Sequence, residues 1–192
     1  MEKKLKRKFN TYLADYYKLL VLVLQKIQQM QKVLFLLALM IIGKYSIAQN
    51  DSTALYLQFP NVPPFTIIKV PDNTEFSKAD LKKKTATLII TFSPDCDHCK
   101  HETKELLSNI DLFKNVQIVM VSHLDFDLIN KFYQDFQITT FPTITMGRDA
   151  AYFLGTFYGI KTYPSMFLYD KKGRFIKMFE GSVPIKQIAA LF

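Results

Sequence analysis

Residues 86–92, "ATLIITF", form an unbroken apolar and β-branched run that passes directly into "SPDCDHCK" (93–100). A short apolar run of this kind, ended by turn residues, marks a strand buried on both faces. A strand with two buried faces needs cover on each side. That requirement points to an α/β sandwich of three layers, a central sheet with helices on both faces. The strand also delivers the chain's only two cysteines, Cys96 and Cys99, to the start of a helical stretch.

The remaining patterns fit that architecture. "FTIIKV" (65–70), "VQIVMVS" (116–122), "SMFLYD" (165–170) and "RFIKMFE" (174–180) read as strands, and "FPTITM" (141–146) is a candidate short strand. Residues 49–64 read as an extended lead-in and 71–77 as a turn, with Ser77 or Asp80 capping a short turn before the lysine run 82–84. The lysine run reads as a solvated loop. Helices are expected over 96–109, with Cys99, Thr103, Leu106 and Ile110 inward, and over 125–136 behind Asp125 as N-cap. Two more are expected over 148–159, capped by Asp149 and stopped by Gly159, and over 182–192, with Ser182 as cap and Pro184 in the first turn. "KKG" before residue 174 makes the last two strands a hairpin, so the sheet is mixed.

The formal charge of +8 is unevenly placed. Residues 1–48 hold nine basic and two acidic residues, whereas residues 49–192 hold sixteen and fifteen. The body is near neutral, with no basic patch interleaved with aromatics, so nucleic acid is not an expected partner. Residues 30–48 read as a signal peptide: a lysine, the apolar run 33–42, then Ser46-Ile47-Ala48 with small residues before a cut. Ten apolar residues are too few for a membrane-spanning helix, which takes about 20. Residues 1–29 then read as an over-extended start or a basic tail. Contact with a membrane is expected only through the N-terminal segment, if it is not removed. The expectation is an exported domain over 49–192, in the periplasm or cell envelope.

Export would place the cysteines where disulfides form and persist. A staple across three residues closes almost no loop and adds little stability, so a reactive pair is the better reading. Helix N-termini carry partial positive charge and free N–H groups, which stabilise a thiolate. Cys96, in the first turn, is expected to be exposed and nucleophilic. Cys99, one turn on and inward, is expected to be shielded. His98 favours a thiolate at Cys96, and Asp95 and Asp97 oppose it. Other chemistries are weighed against this one. Haem attachment needs a histidine where Lys100 stands. Zinc would need Cys96 and Cys99 with two of His98, His101 and His123. Copper delivery usually has one more residue between its cysteines. A non-catalytic interaction module also stays open, as does metal binding at the Cys/His cluster.

"TFSPDCDHCKHE" with "GIKTYPSMFLYDKKGRFI" resembles the thioredoxin fold, in its exported TlpA-like redoxin branch, over about residues 58–192. The resemblance implies a thiol–disulfide oxidoreductase acting on protein thiols and disulfides. It implies no metal or organic cofactor, and an electron donor or acceptor that the residues do not name. It implies a cis peptide bond before Pro164, which faces the cysteines, and a Tyr163 backbone that pairs with substrate. It also implies that Glu102, three residues after Cys99, exchanges a proton with it. The tryptophan common before the first cysteine is Asp95 here, and the buried strand aspartate of cytosolic thioredoxins is Ile90. Glu102 is therefore the best acid/base candidate. Asp95, Asp97 and His98 are the residues expected to shape substrate contact and redox balance.

Overall fold

Alternate side chains of residues 86–91 enter different cores. Leu88 and Ile90 join one hydrophobic cluster and Ile89 the other, and all three are at most 4% exposed. This is the doubly buried strand expected from the sequence, here β3 (Ala86–Thr91). The computed structural model describes residues 54–192, together with Lys18, Leu22 and residues 24–35. The chain divides into two units, residues 1–51 and 52–192. In the first unit, residues 24–35 are helical. Most of the signal reading, residues 36–48, lies outside the described residues, as does most of 1–29. Among the described residues, no helix is long and apolar enough to cross a membrane.

The second unit is built on a seven-stranded sheet in the order β2-β1-β5-β4-β3-β6-β7. Its strands are β1 (Thr66–Lys69), β2 (Glu75–Ser77), β3, β4 (Val116–Ser122), β5 (Ile144–Arg148), β6 (Ser165–Tyr169) and β7 (Phe175–Glu180). β3, β4 and β5 are parallel, and the other pairings are antiparallel, so the sheet is mixed as expected. The helices are α1 (Leu55–Gln58), α2 (Asp97–Ser108), α3 (Phe126–Asp135), α4 (Phe153–Tyr158) and α5 (Ile185–Ala189). Cys99 and Leu106 of α2, Ile129 of α3 and Ile188 of α5 pack on one face. Leu154 and Phe157 of α4, with Tyr56 of α1, cover the other. The result is the three-layer sandwich.

Several local expectations are corrected. Residues 75–77 are an edge strand and not part of the turn, because Phe76 pairs with Ile67 and packs on the second core. Residues 144–148 form a full strand between β1 and β4, ending in Gly147 and Arg148, which carry no strand signal of their own. α4 begins only at Phe153. Buried Asp149 still caps it, accepting from the Phe153 and Leu154 N–H groups at 2.9 and 2.7 Å. Gly159 ends it in the left-handed region, as expected. α5 starts at Ile185, and neither Ser182 nor Pro184 makes a side-chain cap. Asp125 is the N-cap residue of α3, as expected, but its side chain makes no capping hydrogen bond and pairs with Arg148 at 3.3 Å.

The junction of β1 and β5 depends on Gly147. A Cβ there would lie 2.6 Å from the Ile68 carbonyl oxygen and 3.0 Å from Ile67 Cδ1. The backbone cannot yield as a flexible side chain would. Gly147→Ala is expected to lower stability by about 1–3 kcal/mol, the usual range for overpacking. Urea unfolding checks this; a change within about 0.5 kcal/mol would show that the strands part freely.

Candidate active site

β3 hands the chain to the site through Phe92, whose N–H donates to the Val121 carbonyl at 3.0 Å and extends the parallel pairing past the strand end. Buried Pro94 comes next, and the Cys96 N–H closes a turn on the Ser93 carbonyl at 3.1 Å. Cys96 is then the N-cap residue of α2, with extended backbone angles. Its carbonyl accepts from the Lys100 N–H, and its Sγ accepts from the Cys99 N–H at 3.3 Å. The sulfur thus takes the place that a serine or aspartate oxygen takes at other helix starts, facing donors the helix leaves free.

The two cysteines, both free thiols, differ sharply in surroundings. Cys96 is half-buried, and its Sγ donates toward the Tyr163 carbonyl at 3.8 Å. Cys99 is 1% exposed. Burial, reinforced by the neighbouring Cys96 thiol, pushes the Cys99 thiol up to about 12. Glu102 is also buried, at 4% exposure, although the helical spacing of the inward residues does not include it. One turn along α2 from Cys99, it lines the same small cavity, together with Ile90, Phe92 and Pro164. Its Oε1 is buried without a hydrogen-bond partner. Burial raises its carboxyl, and Ser182 and Val183 only partly oppose that. Among the described residues, Glu102 is the only carboxylate that lines this cavity.

The other expected residues fall around the dithiol. Asp95, Asp97 and His98 are exposed. Asp97 forms an ion pair with Lys100 at 3.1 Å. The Tyr163–Pro164 peptide is cis, and Pro164 is buried. What the residue pattern missed is the support of Tyr163. Its hydroxyl meets His123 Nδ1 at 3.3 Å, and the His123 ring lies edge-on to Tyr152 with centroids 4.7 Å apart. Residues 40 positions apart carry no joint signal in a single sequence. His123, in the sequence only a candidate zinc ligand, is therefore part of an aromatic group beside the proline loop. Among the described residues, no three His, Cys, Asp or Glu side chains gather as a metal site.

The family model described as a thioredoxin-like domain matches residues 73–192. The chain belongs to the thioredoxin-like family. This domain fits a TlpA-like redoxin fold. Solved structures similar to it include a secreted disulfide oxidoreductase of Mycobacterium tuberculosis described as homologous to DsbE of E. coli. That match has 16% identity and a TM-score of 0.57, and covers 67% of this chain and 93% of the other. StoA from Bacillus subtilis matches at 24% identity and TM-score 0.51, covering 69% and 98%. The thioredoxin domain of a thiol-disulfide oxidoreductase from Bacteroides vulgatus matches at 19% and 0.57, covering 68% and 93%. At these identities the likeness is one of fold. No curated protein sequence matches the chain.

The buried carboxyl makes stability depend on pH. Folding raises the affinity of Glu102 for its proton, so its contribution is complete below the unfolded value of about 4.3. That contribution is lost as pH rises through the higher folded value. Glu102→Gln removes this loss. The variant is expected to be the more stable protein at pH 7.5, with the gap closing toward pH 4, as measured by urea unfolding at both. Parallel pH profiles for the two proteins would show that the carboxyl is not desolvated.

Proposed function

We propose that this thioredoxin-like domain is a thiol–disulfide oxidoreductase of protein substrates, exported to the periplasm or cell envelope by residues 30–48, with 49–192 as the working domain. The observation that carries the reading is the asymmetry within one helical turn. Cys96 Sγ sits half-exposed at the N-cap beside the Tyr163 carbonyl, while Cys99 is sealed behind it.

That arrangement supports the following chemistry. Cys96 thiolate attacks one sulfur of a substrate disulfide. The substrate S–S bond breaks, a Cys96–substrate disulfide forms, and the departing substrate thiolate takes a proton from solvent. The Tyr163 backbone, held next to Cys96 by the proline loop, aligns the bound strand. Asp95, Asp97 and His98 form the rim it meets. Cys99 then gives its proton to the carboxylate of Glu102 and attacks Cys96 Sγ. The mixed disulfide breaks, the second substrate thiolate leaves, and the chain ends as the Cys96–Cys99 disulfide. Two electrons have passed to the substrate. Run backwards, the same steps oxidise a substrate dithiol. A separate donor or acceptor, also a thiol or disulfide, resets the pair.

The raised Cys99 thiol and its burial make the order of reaction testable. In the reduced protein at pH 7, iodoacetamide is expected to modify Cys96 and leave Cys99 free until the chain is unfolded. Cys99→Ser is expected to accumulate mixed disulfides through Cys96, and Cys96→Ser to accumulate none and to lose insulin reduction. Glu102→Gln is expected to slow the resolving step by about 10²-fold, the lower end for general acid–base catalysis. Equal alkylation of both cysteines, or no mixed disulfide with Cys99→Ser, would count against the reading and favour a non-catalytic binding module.

A further inference from the structure

The end of the domain farthest from the dithiol carries a feature that no linear stretch shows. A groove of about 410 Å³ is lined by Lys78, Lys82, Lys83, Lys84, Lys171 and Lys172, and by no carboxylate. Four of these lysines precede β3, and two come after β6. The antiparallel register of β3 and β6 joins the two sets, with Thr87 opposite Tyr169 at this end and Thr91 opposite Ser165 at the dithiol end. β3 spans six residues, or about 20 Å at 3.3 Å per residue. The near-neutral total for residues 49–192 conceals this pole because its charges come from segments almost ninety residues apart.

These lysines are not neutralised locally. The ammonium groups of Lys82, Lys83, Lys84, Lys171 and Lys172 make no ion pair or hydrogen bond among the described residues, and Lys78 donates to the Val62 carbonyl. The carboxylates nearby are engaged elsewhere. Asp80 accepts from the Ser77 N–H and hydroxyl, and Asp170 binds Arg174 at 2.7 Å. An exposed apolar residue lies two positions before Asn61, which lines the groove. The segment before it is tied to the β6–β7 turn: the Phe175 N–H donates to the Pro60 carbonyl at 2.6 Å, and the Val62 N–H to Gly173 at 2.9 Å. Phe59, the next residue out, is 61% exposed.

We propose that this pole is a contact for an anionic membrane surface, the lysines meeting phosphate headgroups and Phe59 entering the interfacial layer. Lysines are compact, hydrated charges on flexible stems, suited to many mobile headgroups more than to one fixed bidentate anion. Each lysine near such a surface adds attraction that salt screens, and an adjoining apolar residue adds a second, salt-insensitive hold. A soluble polyanion would use the cations but gives no role to an exposed Phe59. Contact at this end leaves the dithiol turned away from the surface and open to substrates. The sequence confines expected membrane contact to the N-terminal segment; this surface is a separate one.

The chain has no tryptophan, so Phe59→Trp in the full chain gives a single fluorophore at the proposed contact. Its emission is expected to shift to the blue with vesicles of phosphatidylcholine and phosphatidylglycerol and not with phosphatidylcholine alone. Adding Lys83→Gln and Lys172→Gln is expected to weaken that partition about 30-fold, from about 1 kcal/mol for each lysine near the surface. Lys104→Gln, on the exposed side of α2, is expected to change it less than twofold. A tryptophan that does not shift overturns the proposal. So does a shift that survives loss of the two lysines, since another segment would then be doing the binding. Tripolyphosphate binding in the groove with an unmoved tryptophan overturns it in favour of a soluble anion.

Discussion

The register between β3 and β6 is the constraint on which the site depends. β3 ends by delivering Cys96, and β6 begins just after Pro164. Because the two strands are antiparallel, Thr91 lies opposite Ser165, and the end of one meets the start of the other. The Thr91 hydroxyl donates to the Ser165 carbonyl at 3.3 Å at that same point. A slip of one residue would turn every side chain of β3 to the wrong core. Leu88 and Ile90 are sealed in one core and Ile89 in the other, so the register has no room to slip. The 3.8 Å approach of Cys96 Sγ to the Tyr163 carbonyl is set by the packing of residues well away from the sulfur.

Within the site, burial does most of the sorting. One helical turn separates a sulfur that accepts an N–H bond at the helix start from a sulfur held in an apolar cavity. The second environment favours the protonated thiol, burial pushing Cys99 up to about 12. The cavity's carboxylate, Glu102, is itself buried, and a buried carboxyl is reluctant to ionise. One of its oxygens has no hydrogen-bond partner, which costs stability.

The parts legible from the sequence are those with short-range causes. The β3 run, the dithiol at a helix start, the Gly159 stop and the hairpin over residues 171–173 each announce themselves within a few residues. The parts that the sequence hides have long-range causes. A glutamate at a helical position reads as exposed, and Glu102 is buried only because Ile185 and Pro164 close over it from elsewhere in the chain. Edge strand β2 is three residues long and exists because β1 is beside it. Asp125 has the composition of a cap, but Arg148 draws its side chain away. The pairing of His123 with Tyr163 needs the fold to exist before it can be seen.

The same antiparallel pairing that builds the dithiol end also builds the lysine end. β6 starts just after the cis proline and ends at Tyr169, two residues before Lys171, so a single strand runs between the two poles. Its five residues are all buried, and its neighbours on both sides are paired. Close-packed interiors deform little. A charge meeting the lysines therefore has no soft path by which to disturb the sulfur at the other end. The sheet is a rigid spacer between the lysine end and the dithiol end.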